Sequence, residues 1–263
     1  MTMPTVRSPL SITLSVWRAI FLREALDRLF RERGAWLWLV VEPMMHISFF
    51  AFGYAAIRAH AVGGMDITIW LMVGLLSFFL YRRTAIQVLY GMDCNRPLFA
   101  YRQVKPFDAA IVRAGLEAFL MILISIAILT LATLLGHSTL PNDPLMVLSA
   151  AAGLWLFAVG YGLVASVLME LVRELEHVLN ILMLPLYIIS GTILPLSSVP
   201  LPYRDWLMIN PIAHGLEVVR MGFVPYYHVV PGTSLGYLYA WALTSICLGL
   251  LLYRRFAVRL MMQ

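Results

Sequence analysis

The chain has 263 residues, 61% of them hydrophobic and only 13% charged, with a formal net charge of +5. Soluble domains carry about 25% charged residues, so this composition argues for lipid as the solvent, in one membrane domain. The surplus of positive charge is spread along the chain with no Lys/Arg block, which argues against a nucleic-acid partner.

In chain order, the N-terminal arm (residues 1–34) comes first. Arg7, Arg18, Arg23, Glu24, Asp27 and Arg28 interrupt any apolar run there, so no cleavable signal is expected. Within it, Leu22, Ala25, Leu26, Leu29 and Phe30 share one helical face, and Arg23, Glu24, Asp27, Arg28 and Arg31 share the other. Beside a membrane that pattern predicts an amphipathic helix in the interface. The stretch 12–21 has its apolar face rotated away from this one, so the two are either separate pieces or touch different neighbours.

The rest, residues 35–263, reads as a transmembrane domain of six helices, each of roughly 20 apolar residues. The spans are predicted at about 35–57, 66–89, 109–136, 145–169, 178–194 and 235–253. The first contains Glu42 and His46, and the fifth contains Pro185. Between the fifth and sixth, Pro195, Pro200 and Pro202 forbid one continuous helix. Asn210-Pro211 then reads as an N-cap and first helical residue. Irregular backbone at membrane depth is tolerated only against protein or a water-filled cavity. This region therefore reads as short re-entrant gate helices on the periplasmic side.

Arginine placement sets the orientation. All of the 19 lysines and arginines except Arg58, Arg204 and Arg220 fall on the side of the two termini, which predicts that both termini are cytoplasmic. Cys94 falls in a connection and Cys247 in a span, so no disulfide is expected.

Motifs of chemistry are missing. The one lysine, Lys105, precedes Pro106, so there is no Walker A loop. A His-Glu-x-x-His zinc site and a Gly-x-Ser-x-Gly elbow are absent too. That lowers the weight of an enzyme without excluding one.

The polar residues inside the spans carry what functional signal there is. Glu42 sits roughly 10 Å into the first span by helical rise. A charge there needs a partner or water, so it reads either as a cavity wall or gate contact, or as half of a structural pair with an arginine. His46 lies one turn further along the same face, extending that stripe or packing as a hydrogen-bonded histidine. Arg113 and Glu117, at i,i+4, read as a helix-surface ion pair. The short elbow Glu170–His177, with Arg173, Glu174 and Glu176, is either a handle for a cytoplasmic motor or a solvated turn. Phe49, Phe50, Tyr54, Phe78, Phe79 and Tyr161 can line a glycan path, although an aromatic belt explains most aromatic residues near the interfaces.

Several stretches together resemble the KpsM-like permeases of capsular-polysaccharide ATP-binding-cassette exporters of Gram-negative bacteria. They are Phe21-Leu-Arg-Glu24, Trp38-Leu-Val-Val-Glu42-Pro43 with His46 after it, and Leu98-Phe-Ala-Tyr101-Arg102-Gln-Val-Lys105-Pro106-Phe-Asp108. Pro185-Leu-Tyr187-Ile-Ile-Ser190 and Asn210-Pro211-Ile-Ala-His214-Gly-Leu-Glu217 complete the set, in order along nearly the whole chain. The resemblance implies a type-2 exporter fold in the bacterial inner membrane. It implies two copies of this subunit with a cytoplasmic ATP-binding-cassette ATPase dimer, which binds the ATP; the chain itself takes no cofactor and no metal. Periplasmic co-polymerase and outer-membrane export proteins are the further partners, and a lipid-linked acidic polysaccharide is the cargo.

On that reading Glu42, His46, Arg82, Arg83, Tyr101, Arg102, Lys105 and Asp108 belong to the substrate pathway or its cytoplasmic mouth. Arg23, Glu24, Arg28, Arg173, Glu174 and Glu176 belong to ATPase coupling. Asn210, Pro211, His214, Glu217 and Arg220 belong to the periplasmic gate. A drug or lipid exporter of the same architecture and a membrane-embedded transferase remain the alternatives.

Overall fold

A computed structural model describes residues 9–30, 34–56, 61–100 and 104–262. Arg31, Tyr101 and Arg102 lie outside the described residues. Nearly all ordered structure is helical: α1 (Pro9–Phe30), α2 (Ala35–Ala56), α3 (Ile67–Leu89), α4 (Pro106–Leu134), α5 (Pro144–Leu171), α6 (Leu175–Ile189), α7 (Tyr203–Leu207), α8 (Pro211–Phe223) and α9 (Leu235–Met262). A two-stranded hairpin, β1 (Ala61–Val62) with β2 (Met65–Asp66), joins α2 to α3 through Gly63 and Gly64. Among the described residues, five helices are long and apolar enough to cross a membrane: α2, α3, α4, α5 and α9.

The fifth predicted span is shorter than expected. Residues 178–194 were expected to be helical, but α6 spans Leu175–Ile189, 15 residues, or about 22 Å at the helical rise. Gly191 at φ 73 and Pro195 beyond it turn the chain away. Ser190 closes the helix, and its Oγ accepts from Asn210 Nδ2 at 2.8 Å. At the other end of the chain, α1 is one continuous helix from Pro9 to Phe30, so the stretch 12–21 and the amphipathic segment after it are not separate pieces.

Local chemistry fixes the helix starts. Asp66 Oδ1 accepts from the N–H groups of Thr68 (2.9 Å) and Ile69 (3.3 Å), capping α3. Asp143 caps α5 through Met146 N at 3.0 Å, with Pro144 in the first turn. Asn210 caps α8 through Ile212 N at 3.1 Å, as the Asn-Pro pair predicts.

Helix α5 is central, packed against α9, α3 and α8. A β-carbon on Gly160 would stand 2.1 Å from Ser245 Oγ and 2.7 Å from Ile246 N, so the α5–α9 crossing needs a residue without one. Helix α3 is buried along most of its length, with Trp70, Leu71, Leu75, Phe78 and Tyr81 closed off. The bundle has a basic end, where α1, the end of α3, the start of α4 and the α5–α6 turn meet. There Trp17 Nε1 donates to Asp108 Oδ1 at 2.9 Å, and Tyr90 Oη donates to Glu176 Oε1 at 3.0 Å. The opposite end holds α7, α8 and the hairpin, docked by His228 N to Gly63 O at 2.9 Å.

Candidate functional site

Three groups of charged side chains lie within or against the bundle, and they differ in how tightly they are held. At the basic end, Glu117 of α4 is 1% exposed. It accepts from Arg28 of α1 and meets Arg83 Nε of α3 at 2.7 Å. Arg28 Nη2 also donates to Gln87 Oε1 at 2.6 Å. Beside it Glu24, also buried, meets Arg113 Nε at 3.3 Å and accepts from Asn95 Nδ2 at 3.2 Å. Arg113 Nη1 donates to Tyr90 O at 3.0 Å. Arg23, half exposed, reaches both Glu24 and Asn95.

This corrects the expectation that Arg113 and Glu117 pair with one another on a helix surface. Each turns inward to a carboxylate or guanidinium that α1 supplies. Glu24 and Arg28 of α1 are thereby closed onto α3 and α4, Arg23 and Asp27 stay exposed, and Leu10, Leu14, Leu22, Leu26 and Phe30 are exposed as well.

At the opposite end, every residue of α8 except Met221 is buried. Its apolar side was readable in Ile212, Leu216, Val219 and Phe223; its other side is closed as well, because Glu217 and Arg220 find partners. Arg220 Nη1 donates to Glu217 Oε1 at 2.9 Å, and Nη2 donates to Gly191 O at 2.9 Å. Its guanidinium lies 3.8 Å from the centre of the Trp70 ring, a cation–π contact in a dry site. Tyr227 Oη donates to Glu217 at 3.1 Å and accepts from Trp70 Nε1 at 3.2 Å, and Val230 N adds a bond to Glu217 at 3.3 Å. Gly74 makes room, since a β-carbon there would be 2.3 Å from Arg220 Nη2. His214 is satisfied on both sides: Nδ1 accepts from Ser234 N at 3.0 Å, so Nε2 carries the proton toward Met208 O at 2.7 Å. Burial holds its pKa below the ordinary histidine value, favouring this neutral form.

The third group is looser. Glu42 Oε1 of α2 stands 3.7 Å from Arg82 Nη1 of α3, with the side chains 30% and 36% exposed. Pro43 beside it has no N–H to give Leu39 O; Arg83 Nη1 donates to that oxygen at 3.5 Å instead. Aromatic rings continue the seam between α2, α3 and α6. The His46 ring centre is 5.3 Å from Phe79 and 6.3 Å from Tyr187, and Tyr187 is 5.0 Å from Phe78. Arg82 lies 6.0 Å from the Phe79 ring centre. The Tyr187 hydroxyl is buried and has no hydrogen-bond partner among the described residues.

Of the remaining predicted residues, Asp108 accepts from Lys105 N at 2.9 Å as well as from Trp17, so its carboxylate ties α1 to the start of α4. Lys105 is exposed. Arg173 and Glu174 are exposed in the turn between α5 and α6, whereas Glu176 is turned toward Tyr90. Pro211 opens α8 and is buried. Sequence reasoning missed Gln87, Asn95, Trp70 and Tyr227, whose importance comes only from distant partners. Tyr187 was visible in a motif but not as a seam residue.

Comparison with known proteins fits this architecture. Residues 15–224 match the ABC-2 type transporter family. The chain is 31% identical to the polysialic acid transport protein KpsM of Escherichia coli, over 94% of this chain and 96% of that one. It is 24% identical to the capsule polysaccharide export inner-membrane protein BexB of Haemophilus influenzae, over 96% of this chain and 95% of the relative. CtrC of Neisseria meningitidis serogroup A, another capsule polysaccharide export inner-membrane protein, is 25% identical over 78% and 77% of the two chains. Five apolar spanning helices, a match across most of the length and near-complete coverage of these relatives agree: the chain belongs to the ABC-2 type transporter family of membrane proteins.

Proposed function

We propose that this chain is the permease subunit of an ATP-driven exporter that carries a lipid-linked, acidic capsular polysaccharide across the bacterial inner membrane. The observation that carries the reading is the end-to-end similarity to a polysialic acid transport protein, in a chain with no nucleotide-binding loop. The working unit is two copies of the chain with a dimer of a separate ATPase, and the co-polymerase and outer-membrane export proteins receive the polymer. Helix α6 serves as the short fifth of six spans. Both termini are cytoplasmic, as the arginine distribution supports, so the basic end faces the ATPase. The outward leucines of α1 suit an interface helix, and α7 with α8 forms the periplasmic gate. The seam of Glu42, Arg82, His46 and Tyr187 offers rings and a cation to a passing glycan, with Phe79 buried behind it.

The test is co-purification in mild detergent with identification of the bound ATPase, joined to capsule staining of a deletion strain. The expected result is a stoichiometric ATPase partner and loss of surface polymer. Full surface polymer in the deletion strain contradicts the reading. An apolar cavity of about 210 Å³ between α3, α4, α5 and α8 favours a lipid or drug cargo as the second reading, and the same deletion strain separates the two.

The elbow supplies a further prediction. Reversing both exposed charges, Arg173→Glu with Glu174→Arg, is expected to lower export about tenfold, or about 1.4 kcal/mol of coupling, while ATP turnover continues. Unchanged export per ATP in proteoliposomes removes the elbow from the coupling path.

A further inference from the structure

Three of the carboxylate–guanidinium contacts named above differ in a way that points to use. Glu117 with Arg83 stands at 2.7 Å with side chains 1% and 15% exposed, and Glu217 with Arg220 at 2.9 Å with both sealed. Glu42 with Arg82 stands at 3.7 Å, about a third exposed on each side. A pair kept only for the fold would gain from closing, because a loose half-exposed pair contributes little. Yet the backbone of Glu42 is tied within α2, where its carbonyl meets His46 Nδ1 at 2.9 Å. The carboxylate is thus presented to Arg82 without being sealed against it. A guanidinium has five N–H donors in a fixed fork suited to binding a carboxylate or phosphate through two oxygens. At 3.7 Å, Glu42 does not use that fork.

The surroundings argue against hydrocarbon as the neighbour of this pair. Charges on a spanning helix face a bundle interior or a water-filled space, and the rings of Phe79, His46 and Tyr187 continue from Arg82 along the same seam.

We propose that Glu42 is an internal stand-in for the anionic groups of the cargo: it occupies Arg82 when the passage is empty and yields it to a carboxylate or phosphate of the entering polymer. This rests on the permease reading and adds a residue that sets charge selectivity. Arg82 selects anionic chains, and Glu42 sets the threshold that a ligand must exceed and returns to Arg82 once the polymer has moved on.

The experiment uses the full permease–ATPase complex in proteoliposomes, with ATP turnover titrated by an oligomer of sialic acid and by a neutral glucose oligomer of equal length. Glu42→Gln is expected to lower the half-saturating concentration of the acidic probe about tenfold and leave the neutral one unchanged. Arg82→Gln is expected to raise it and erase the preference for the acidic probe. Glu42→Asp, a smaller change that keeps the charge and withdraws it by one methylene, is expected to fall between wild type and Glu42→Gln. The inference is overturned if Glu42→Gln and Glu42→Asp leave the acidic half-saturation where it was. Equal impairment with both probes by Glu42→Gln and Arg82→Gln, alongside a lowered unfolding midpoint, also overturns it, because that is the signature of a structural pair. A wild-type complex that responds to neither probe removes the permease reading and this inference with it; a responsive wild type with silent Glu42 variants removes only the inference.

Discussion

Glu117→Ala is expected to destabilise the protein by about 3–5 kcal/mol, the usual cost of removing one member of a buried charge network. Glu117 is 1% exposed and stands between Arg28 and Arg83, which approach from α1 and α3. Without its carboxylate, two guanidiniums face each other in a closed site and α1 loses one of its ties to α4, leaving Glu24–Arg113 and Trp17–Asp108. Arg28→Ala removes a smaller part, since Glu117 keeps Arg83, and its expected cost is about 1–3 kcal/mol. The order Glu117→Ala worse than Arg28→Ala is therefore the discriminating result, read from thermal unfolding in detergent. Equal midpoints for wild type and Glu117→Ala would mean that water already satisfies the arginines. Hydrogen exchange gives a second readout: in Arg28→Ala, α1 amides should lose protection before those of α4.

The same residues show where the sequence is readable and where it is not. Spanning helices α2 to α5 and α9 follow from apolar runs, because lipid requires continuous hydrophobicity and nothing from elsewhere in the chain. The start of α8 follows from Asn210-Pro211, a local rule about orphan N–H groups. Arg113 and Glu117 break the pattern, since i,i+4 spacing reports only what one helix does alone. Their partners Glu24 and Arg28 come from α1, some ninety positions earlier in the chain in the case of Arg28 and Glu117. No local pattern encodes that pairing. The early end of α6 is an intermediate case: hydropathy continued to Leu194, but the backbone had already turned at Gly191. Glu42 was readable as a charge in need of a partner, with an arginine as one option. Which arginine, and how loosely, depended on the packing of α2 on α3.

Helix α8 supplies the other large effect, and it separates the cost of a pair from the cost of breaking one. Arg220→Ala should leave Glu217 sealed with only the Tyr227 hydroxyl and Val230 N–H as donors, while also removing the cation from the Trp70 face. Glu217→Ala should leave Arg220 charged, held by Gly191 O and the Trp70 ring. Each single change is expected to cost about 3–5 kcal/mol. The double replacement Glu217→Leu with Arg220→Met keeps volume and leaves no buried charge, so it is expected to cost less than either single change. With the matching singles Glu217→Leu and Arg220→Met closing a double-mutant cycle, the coupling between the two positions exceeds about 1 kcal/mol. A double variant as damaged as the sum of the singles would mean that the two side chains act independently, each through its own contacts. If the double variant folds and still exports, the pair is not required for gating, and α8 is a packed plug. If it folds with a normal unfolding midpoint and export stops, the charges themselves are needed for movement at this end of the bundle. The two side chains share α8 and are fully buried, so motion of this helix has to break their contacts to Gly191 O, the Trp70 ring and Tyr227.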